Sequence, residues 1–193
     1  MRRQLRQRRR SIPLIERRHA AQMVADALMR LSFCRPGVHI GVYLALPGEL
    51  DLQPFIELAW RRGCRVFVPH ITNQRRRQMS FYPLQPDSRL QLHEWQIPQL
   101  RNIRQHHSIP TLRLDAVLTP LLGFDALGHR LGMGAGFYDR HFARLGRSQR
   151  FRRPRLIGVA YACQQVPLLT RQPHDVGLDL IVTERAIIRP RSQ

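Results

Sequence analysis

The residues best able to do chemistry are concentrated in Gly128-His129-Arg130-Leu131-Gly132-Met133-Gly134-Ala135-Gly136-Phe137-Tyr138-Asp139-Arg140. Four glycines fall within nine residues, and the last three alternate with single side chains. Losing every second Cβ lets a backbone take positive φ angles and approach another group closely. A turn of this kind aims several N–H groups at one point, a concavity suited to an anion. Phe137 to Leu145 then reads as a helix with Phe137, His141, Phe142 and Leu145 on one side. A phosphate at the turn would lie near the positive end of that helix's dipole. Upstream, the apolar run Ala116 to Leu122, interrupted by Pro120, reads as a buried strand. Strand, glycine turn, helix is a phosphate-binding arrangement. Neither the dinucleotide fingerprint nor the Walker pattern is present, however, so spacing alone leaves nucleotide binding and a plain tight turn equally open.

Carboxylates form the second set. Glu49 and Asp51 lie in the loop Pro47-Gly48-Glu49-Leu50-Asp51, just after a predicted strand, where open α/β sheets bind ligands. Asp51 can cap the helix that follows, whereas Glu49 has no such duty. Asp175, beside His174 and ahead of another strand, can cap a turn or ligate a cation. His93, His106 and His107 lack metal-ligand spacing with acids or thiols, which argues against a metal site among them. Met79 and Phe81 share one face of a strand, a pattern that usually means core but also lines flat-ring pockets.

The elements that position these residues follow from periodicity. Six arginines and one apolar residue, Leu5, occupy residues 2–10. A like-charge block of this kind favours a solvated tail; the sharper alternative is a helix placing Arg3, Arg6 and Arg10 towards phosphates. With Ser11 as N-cap, residues 12–32 are expected to form an amphipathic helix carrying Leu14, Ile15, Met23, Val24, Ala27, Leu28 and Leu31 at helical spacing, ended by Pro36-Gly37. Val38–Leu46 reads as the first core strand, 52–62 as a helix and Arg65–His70 as a second strand, hence a parallel crossover. Gln78–Pro83 reads as a strand at or near an edge, because Pro83 cannot serve a central ladder. Residues 84–114 are proline-dotted and read as a long connection or flap. Residues 146–155 form a basic linker, 156–161 a further strand and 178–184 the last one. The expected fold is an α/β, three-layer α/β/α sandwich with a mostly parallel sheet, a single domain over residues 1–193.

Composition narrows the classes. No apolar run approaches the roughly 20 residues of a membrane span, and the arginine-rich start lacks a signal peptide's apolar core. Cys34, Cys64 and Cys163 have no CxxC partner and read as free thiols, implying a cytoplasmic protein. All 32 basic residues are arginine, and the net charge is +19. Eight arginines and no acid lie between Arg140 and His174, a surface that should attract polyanions. A nucleic-acid-associated protein is therefore the rival reading, although no helix-turn-helix, RRM or zinc pattern and no stacking platform is visible. A salt-sensitive, sequence-blind RNA affinity is expected from charge alone.

With the turn placed, Pro120-Leu121-Leu122-Gly123-Phe124-Asp125, Gly128 and Arg130 through Arg140 closely resemble the signature of the 5-formyltetrahydrofolate cyclo-ligase family. Arg3-x-Leu5-Arg6, Gly48-Glu49-Leu50-Asp51, Met79-x-Phe81, Gly158-x-Ala160 with Gln164, and His174-Asp175 before Ile181-Val182-Thr183 agree in order. The resemblance spans nearly the whole chain. It implies a ligase that forms a C–N bond: 5-formyltetrahydrofolate and MgATP give 5,10-methenyltetrahydrofolate, ADP and phosphate through a phosphorylated formyl oxygen.

By the same resemblance, backbone N–H groups of Gly132, Met133, Gly134, Ala135 and Gly136 would cradle ATP. Leu131, Phe137 and Tyr138 would flank that cradle, and Arg130 would act beside the phosphates. Arg3 and Arg6 would close over the nucleotide. Arg130 and Tyr138 are the implied catalytic residues, and Asp139 and Asp175 the implied Mg²⁺ ligands. Glu49 would hydrogen-bond the pterin, with Leu44, Met79, Phe81 and Tyr138 as pocket walls. A monomer is expected, and the basic surface suits a polyglutamylated folate. Departures are Arg3 for lysine, Ala135 for glycine, Phe137 for the first of two tyrosines, and Ile97-Pro98 where many members carry Glu-Pro, a change expected to weaken substrate binding. An inactive relative is the third reading, opposed by the presence of Arg130, Asp139, Asp175 and Glu49.

Overall fold

A computed structural model describes residues 1–92, 97–101, 103, 107–134, 136–146, 154–170, 172 and 175–190. Ala135, His93, His106, His174 and the linker residues 147–153 lie outside the described residues.

The helices are α1 (Arg2–Arg10), α2 (Leu14–Met29), α3 (Gln53–Arg61) and α4 (Phe137–Gly146). The strands are β1 (His39–Gly41), β2 (Arg65–Asn73), β3 (Gln78–Pro83), β4 (Leu90–Leu92), β5 (Pro98–Leu100), β6 (Ala116–Pro120), β7 (Gly123–Phe124), β8 (Arg130–Leu131), β9 (Arg155–Val159), β10 (Leu180–Val182) and β11 (Ile187–Ile188). Seven of these make one sheet in the order β11-β10-β9-β6-β1-β2-β3. Its centre is parallel, with Ile40 opposite both Val66 and Ala116, Leu118 opposite Ile157, and Gly158 opposite Ile181. β3 and β11 close the two edges antiparallel.

Period-two alternation sorts the core into two halves. Ile40, Val42, Val66, Val68, Leu118 and Val159 pack on one face with Val24 and Leu28 of α2 and Phe55 and Ile56 of α3. Phe67, Phe81, Val117, Leu156 and Ile181 pack on the other with Phe137 and Phe142 of α4. The mostly parallel α/β domain expected from the sequence is the one formed.

Several boundaries differ. Residues 2–10 are helical, not a solvated tail, because Leu5 is buried at 1 % exposure and anchors the first turn. Ser11 ends α1, its N–H donating to Gln7 O, and does not start α2. α2 buries Ala20, Ala21, Val24, Ala25 and Leu28, leaving Leu14, Ile15 and Met23 exposed. Its contact face is thus built of small residues that allow close approach to α3. The segment 84–114 is not structureless: β4 and β5 pair as a two-stranded ribbon. Beyond β10, which is shorter than expected, a further strand β11 returns alongside it.

Candidate active site

The C-terminal ends of neighbouring strands open a cavity of about 170 Å³. Tyr43, Leu44, Leu46 and Glu49 follow β1, Pro69 and Ile71 come from the far half of β2, Met79 from β3, and Pro120 ends β6. The opposite wall is Arg130, Gly132, Met133, Gly136, Phe137, Tyr138 and Asp139, while Ile97, Pro98 and Gln99 line it from the β4–β5 ribbon. A side chain at each strand end is therefore delivered to one point, as parallel sheets do.

The glycine turn runs from the β7–β8 hairpin into α4. Gly134 has φ +113° and Gly136 φ +65°, values that side-chain-bearing residues rarely adopt. A Cβ built on Gly132 or Gly134 would meet no protein atom within 4 Å. That face of the turn is open among the described residues. Three guanidiniums surround it. Arg2 Nε donates to Gly132 O and Arg6 Nη2 to Met133 O, each at 3.4 Å. Arg77 Nη1 would stand 3.4 Å from a Cβ on Gly136, and Arg77 itself has φ +51°. Arg130 Nη2 donates to Asp139 Oδ1 at 2.5 Å, whereas its Nη1 is buried without an acceptor among the described residues.

Glu49 forms the other pole. It is 8 % exposed, and its Oε2 accepts from Leu46 N at 3.0 Å. Burial pushes its carboxyl above the ordinary range, against the Leu46 hydrogen bond and the Arg9 charge, which pull it down. Burial likewise raises the Tyr138 phenol, with the Glu49 charge adding to it and Arg130 opposing. Tyr138 stacks on Phe142, with ring centroids 6.2 Å apart.

The structure gathers Leu44, Glu49, Met79, Arg130, Gly132, Met133, Gly136, Phe137, Tyr138 and Asp139 around one cavity. Phe81 is a correction: it is fully buried behind the wall, against Gly41 and His141, so it supports the pocket without lining it. Arg3 is exposed, and the contacts to the turn are made by Arg2 and Arg6. Leu131 and Gly134 flank the cavity without lining it. Asp175 is also outside the lining, its Oδ2 accepting from Gln172 N at 2.8 Å. Among the described residues, no group of three or more His, Cys, Asp or Glu side chains is placed to hold a metal ion. The single carboxylate at the turn, Asp139, suits a cation that brings most of its oxygen ligands with it.

Sequence reading missed Arg9, Tyr43, Arg2 and Gln99, whereas Ile97 and Pro98 were marked by the family resemblance. The signal for the two arginines was present: Arg2, Leu5 and Arg9 share one helical face, and Leu5 marks it as the buried one. Gln164 and Asp125, by contrast, are motif residues with structural duties. Gln164 Nε2 donates to Leu121 O and Leu122 O. Asp125 accepts from the N–H groups of Leu127, His129 and Leu169.

The fold and cavity define an α/β protein of the kind seen in methenyltetrahydrofolate synthetases. The Aquifex aeolicus 5,10-methenyltetrahydrofolate synthetase structure superimposes with TM-score 0.79 at 26% identity, covering 100% of this chain and 92% of that one. The Mycoplasma pneumoniae synthetase does so with TM-score 0.70 at 26% identity, covering 95% and 96%. The chain belongs to the 5-formyltetrahydrofolate cyclo-ligase family, whose model matches residues 1–184. The Escherichia coli K12 5-formyltetrahydrofolate cyclo-ligase is 34% identical over 184 residues, covering 93% of this chain and 96% of the relative. The mouse cyclo-ligase is 25% identical over 191 residues, covering 95% and 92%.

Proposed function

We propose that this enzyme closes 5-formyltetrahydrofolate to 5,10-methenyltetrahydrofolate, using MgATP and releasing ADP and phosphate. The observation carrying this reading is one cavity with an arginine-ringed glycine turn at one pole and a buried carboxylate at the other. Family membership supplies the reaction; the two poles suit its two substrates.

A formamide carbon is a poor electrophile. Its oxygen first attacks the γ-phosphorus of ATP, forming an O–P bond as the bond to the ADP oxygen breaks. N10 then attacks the activated carbon, a C–N bond forms, and the former formyl oxygen leaves with phosphate. The N10 proton goes to solvent. Catalysis of such a step is mostly positioning and charge dispersal. Backbone N–H groups of the glycine turn hold the phosphates, Arg130 Nη1 offers the transferring group a buried donor, and Arg2 and Arg6 brace the turn from its carbonyl side. Tyr138, kept protonated by burial, donates from the α4 side. Glu49 holds the pterin against Leu44, Met79 and Ile97. Magnesium would be held through Asp139 and would offset phosphate charge; Asp175 is the carboxylate to compare with it. The enzyme works as a cytoplasmic monomer, with the arginine surface available to polyglutamate tails.

The test mixes purified protein with 5-formyltetrahydrofolate and MgATP and follows the near-ultraviolet absorbance of the methenyl product. ATP-dependent product formation is expected, abolished by Asp139→Ala. No turnover by folded protein rules the reading out in favour of an inactive relative.

A further inference from the structure

Arg9 is buried on α1, with 6 % of its side chain exposed against 5 % for that of Glu49. Its Nη1 lies 3.9 Å from Glu49 Oε1, beyond hydrogen-bond reach. Among the described residues neither Nε nor Nη1 has an acceptor. Two buried guanidinium nitrogens without acceptors are costly, because burial removes water that nothing replaces. Such a group persists where it serves a neighbour.

That neighbour is tightly held elsewhere. Glu49 Oε2 accepts from Leu46 N, Tyr43 OH donates to Leu50 O at 2.7 Å, and Tyr161 OH donates to Glu49 O at 3.4 Å. Oε1 is left with Arg9 as its cationic neighbour, in a residue that lines the cavity. The groups facing Glu49 are Arg9 from α1, Tyr43 after β1, Tyr138 from α4 and Tyr161 after β9. Burial holds all three phenols above their ordinary range, so they are neutral near pH 7 and Arg9 alone among them carries charge. The same nine-residue helix carries Arg2 and Arg6 to the glycine turn. One short rod thus touches both poles of the cavity.

We propose that Arg9 is a positioning residue which, through α1, ties the Glu49 carboxylate to the glycine turn, so that a nucleotide at the turn and a folate ring at Glu49 bind cooperatively. The inference rests on the function proposed above. An anion at the turn fixes Arg2 and Arg6, and with them the helix. The fixed helix seats Arg9 on Glu49 Oε1 and so orients the carboxylate, whose remaining lone pairs accept from the ring's N–H donors. Coupling of this kind is reciprocal: folate must tighten nucleotide binding by the same factor.

The test is equilibrium titration of 5-formyltetrahydrofolate into the full chain, with and without a non-hydrolysable ATP analogue and Mg²⁺. Wild type, Arg9→Gln, Arg9→Lys, Glu49→Gln and the Arg9→Gln/Glu49→Gln pair are compared, each checked for folding by thermal melt. The analogue should tighten folate binding about tenfold in wild type and less than about twofold in Arg9→Gln. In the Glu49→Gln background Arg9→Gln should add nothing further. Without the arginine charge, Glu49 holds its proton more strongly, so the acid limb of folate binding should move to higher pH in Arg9→Gln. Arg9→Lys, which keeps the charge but shortens the fork, should lose part of the coupling, and it supplies the comparison if Arg9→Gln does not fold. Full coupling in a folded Arg9 variant, or an equal penalty with and without Glu49, overturns the inference and leaves the functional reading intact. Wild type that makes no methenyl product takes both down.

Discussion

Two glycine turns lie side by side in the β7–β8 hairpin and its exit, and they are built to opposite ends. At the first, Gly128 has φ +84°, and a Cβ there would meet Pro190 Cγ at 2.7 Å and Leu178 O at 2.9 Å. Asp125, fully buried beneath it, also accepts from His129 Nδ1 at 2.9 Å, so the glycine and the carboxylate of this turn are both enclosed by protein. At the second, Gly134 also sits at positive φ, yet the space where its Cβ would go is open. The first turn is shaped by the chain around it, whereas the second leaves its outer face open. Glycine spacing alone does not separate the two, since both demands select the same residue.

Substitutions should separate them, costing activity at the open turn and stability at the closed one. The largest loss is expected for Arg130→Met, which removes the buried donor beside the open turn: kcat should fall about 10²–10³-fold with the melting temperature nearly unchanged. A matching drop in Tm would mean the arginine is structural. Gly128→Val should cost about 3 kcal/mol, from strain and overpacking, and lower Tm by roughly 10 °C, while the folded fraction keeps its wild-type KM. Gly134→Val meets strain but no clash. It should raise KM for ATP about tenfold, with about 1 kcal/mol or more lost from the fold; a large Tm loss with KM unchanged would erase the contrast. The smallest effect concerns the thiols. Burial pushes Cys34 up to about 12 and raises Cys64 and Cys163 as well, but of the three only Cys163 is exposed to reagent. One thiol should therefore react with a disulfide reagent at pH 8 in the folded protein, and three in denaturant. Two or more fast thiols would show that the α2–α3 side opens readily.

Much of this was legible beforehand because hydrophobic period reports burial directly. Val66, Phe67 and Val68 alternate between the two cores as their spacing predicts, and Phe137, His141 and Phe142 fall on one side of α4. The family signature gave Glu49, Arg130 and Asp139, which meet at one cavity although Glu49 is far from the other two in sequence. What could not be read was which member of a repetitive set does the work. Among the arginines of α1, Arg9 is buried and Arg3 exposed, a difference fixed by the packing of Leu5 against Gly123 rather than by residue type. The pairing of β4 with β5 was equally hidden, because three-residue strands have too few positions to show a period. Ile97 and Pro98, where the resemblance marks a departure, line the cavity.

The bonds from Arg2 and Arg6 have a consequence beyond covering the turn. A trans peptide plane holds its C=O and N–H pointing in opposite directions. Because α1 draws the carbonyls of Gly132 and Met133 towards itself, the N–H vectors of Met133 and Gly134 are turned the other way. The two guanidiniums act as levers on the peptide planes: cations on one side of the ribbon set donors on the other.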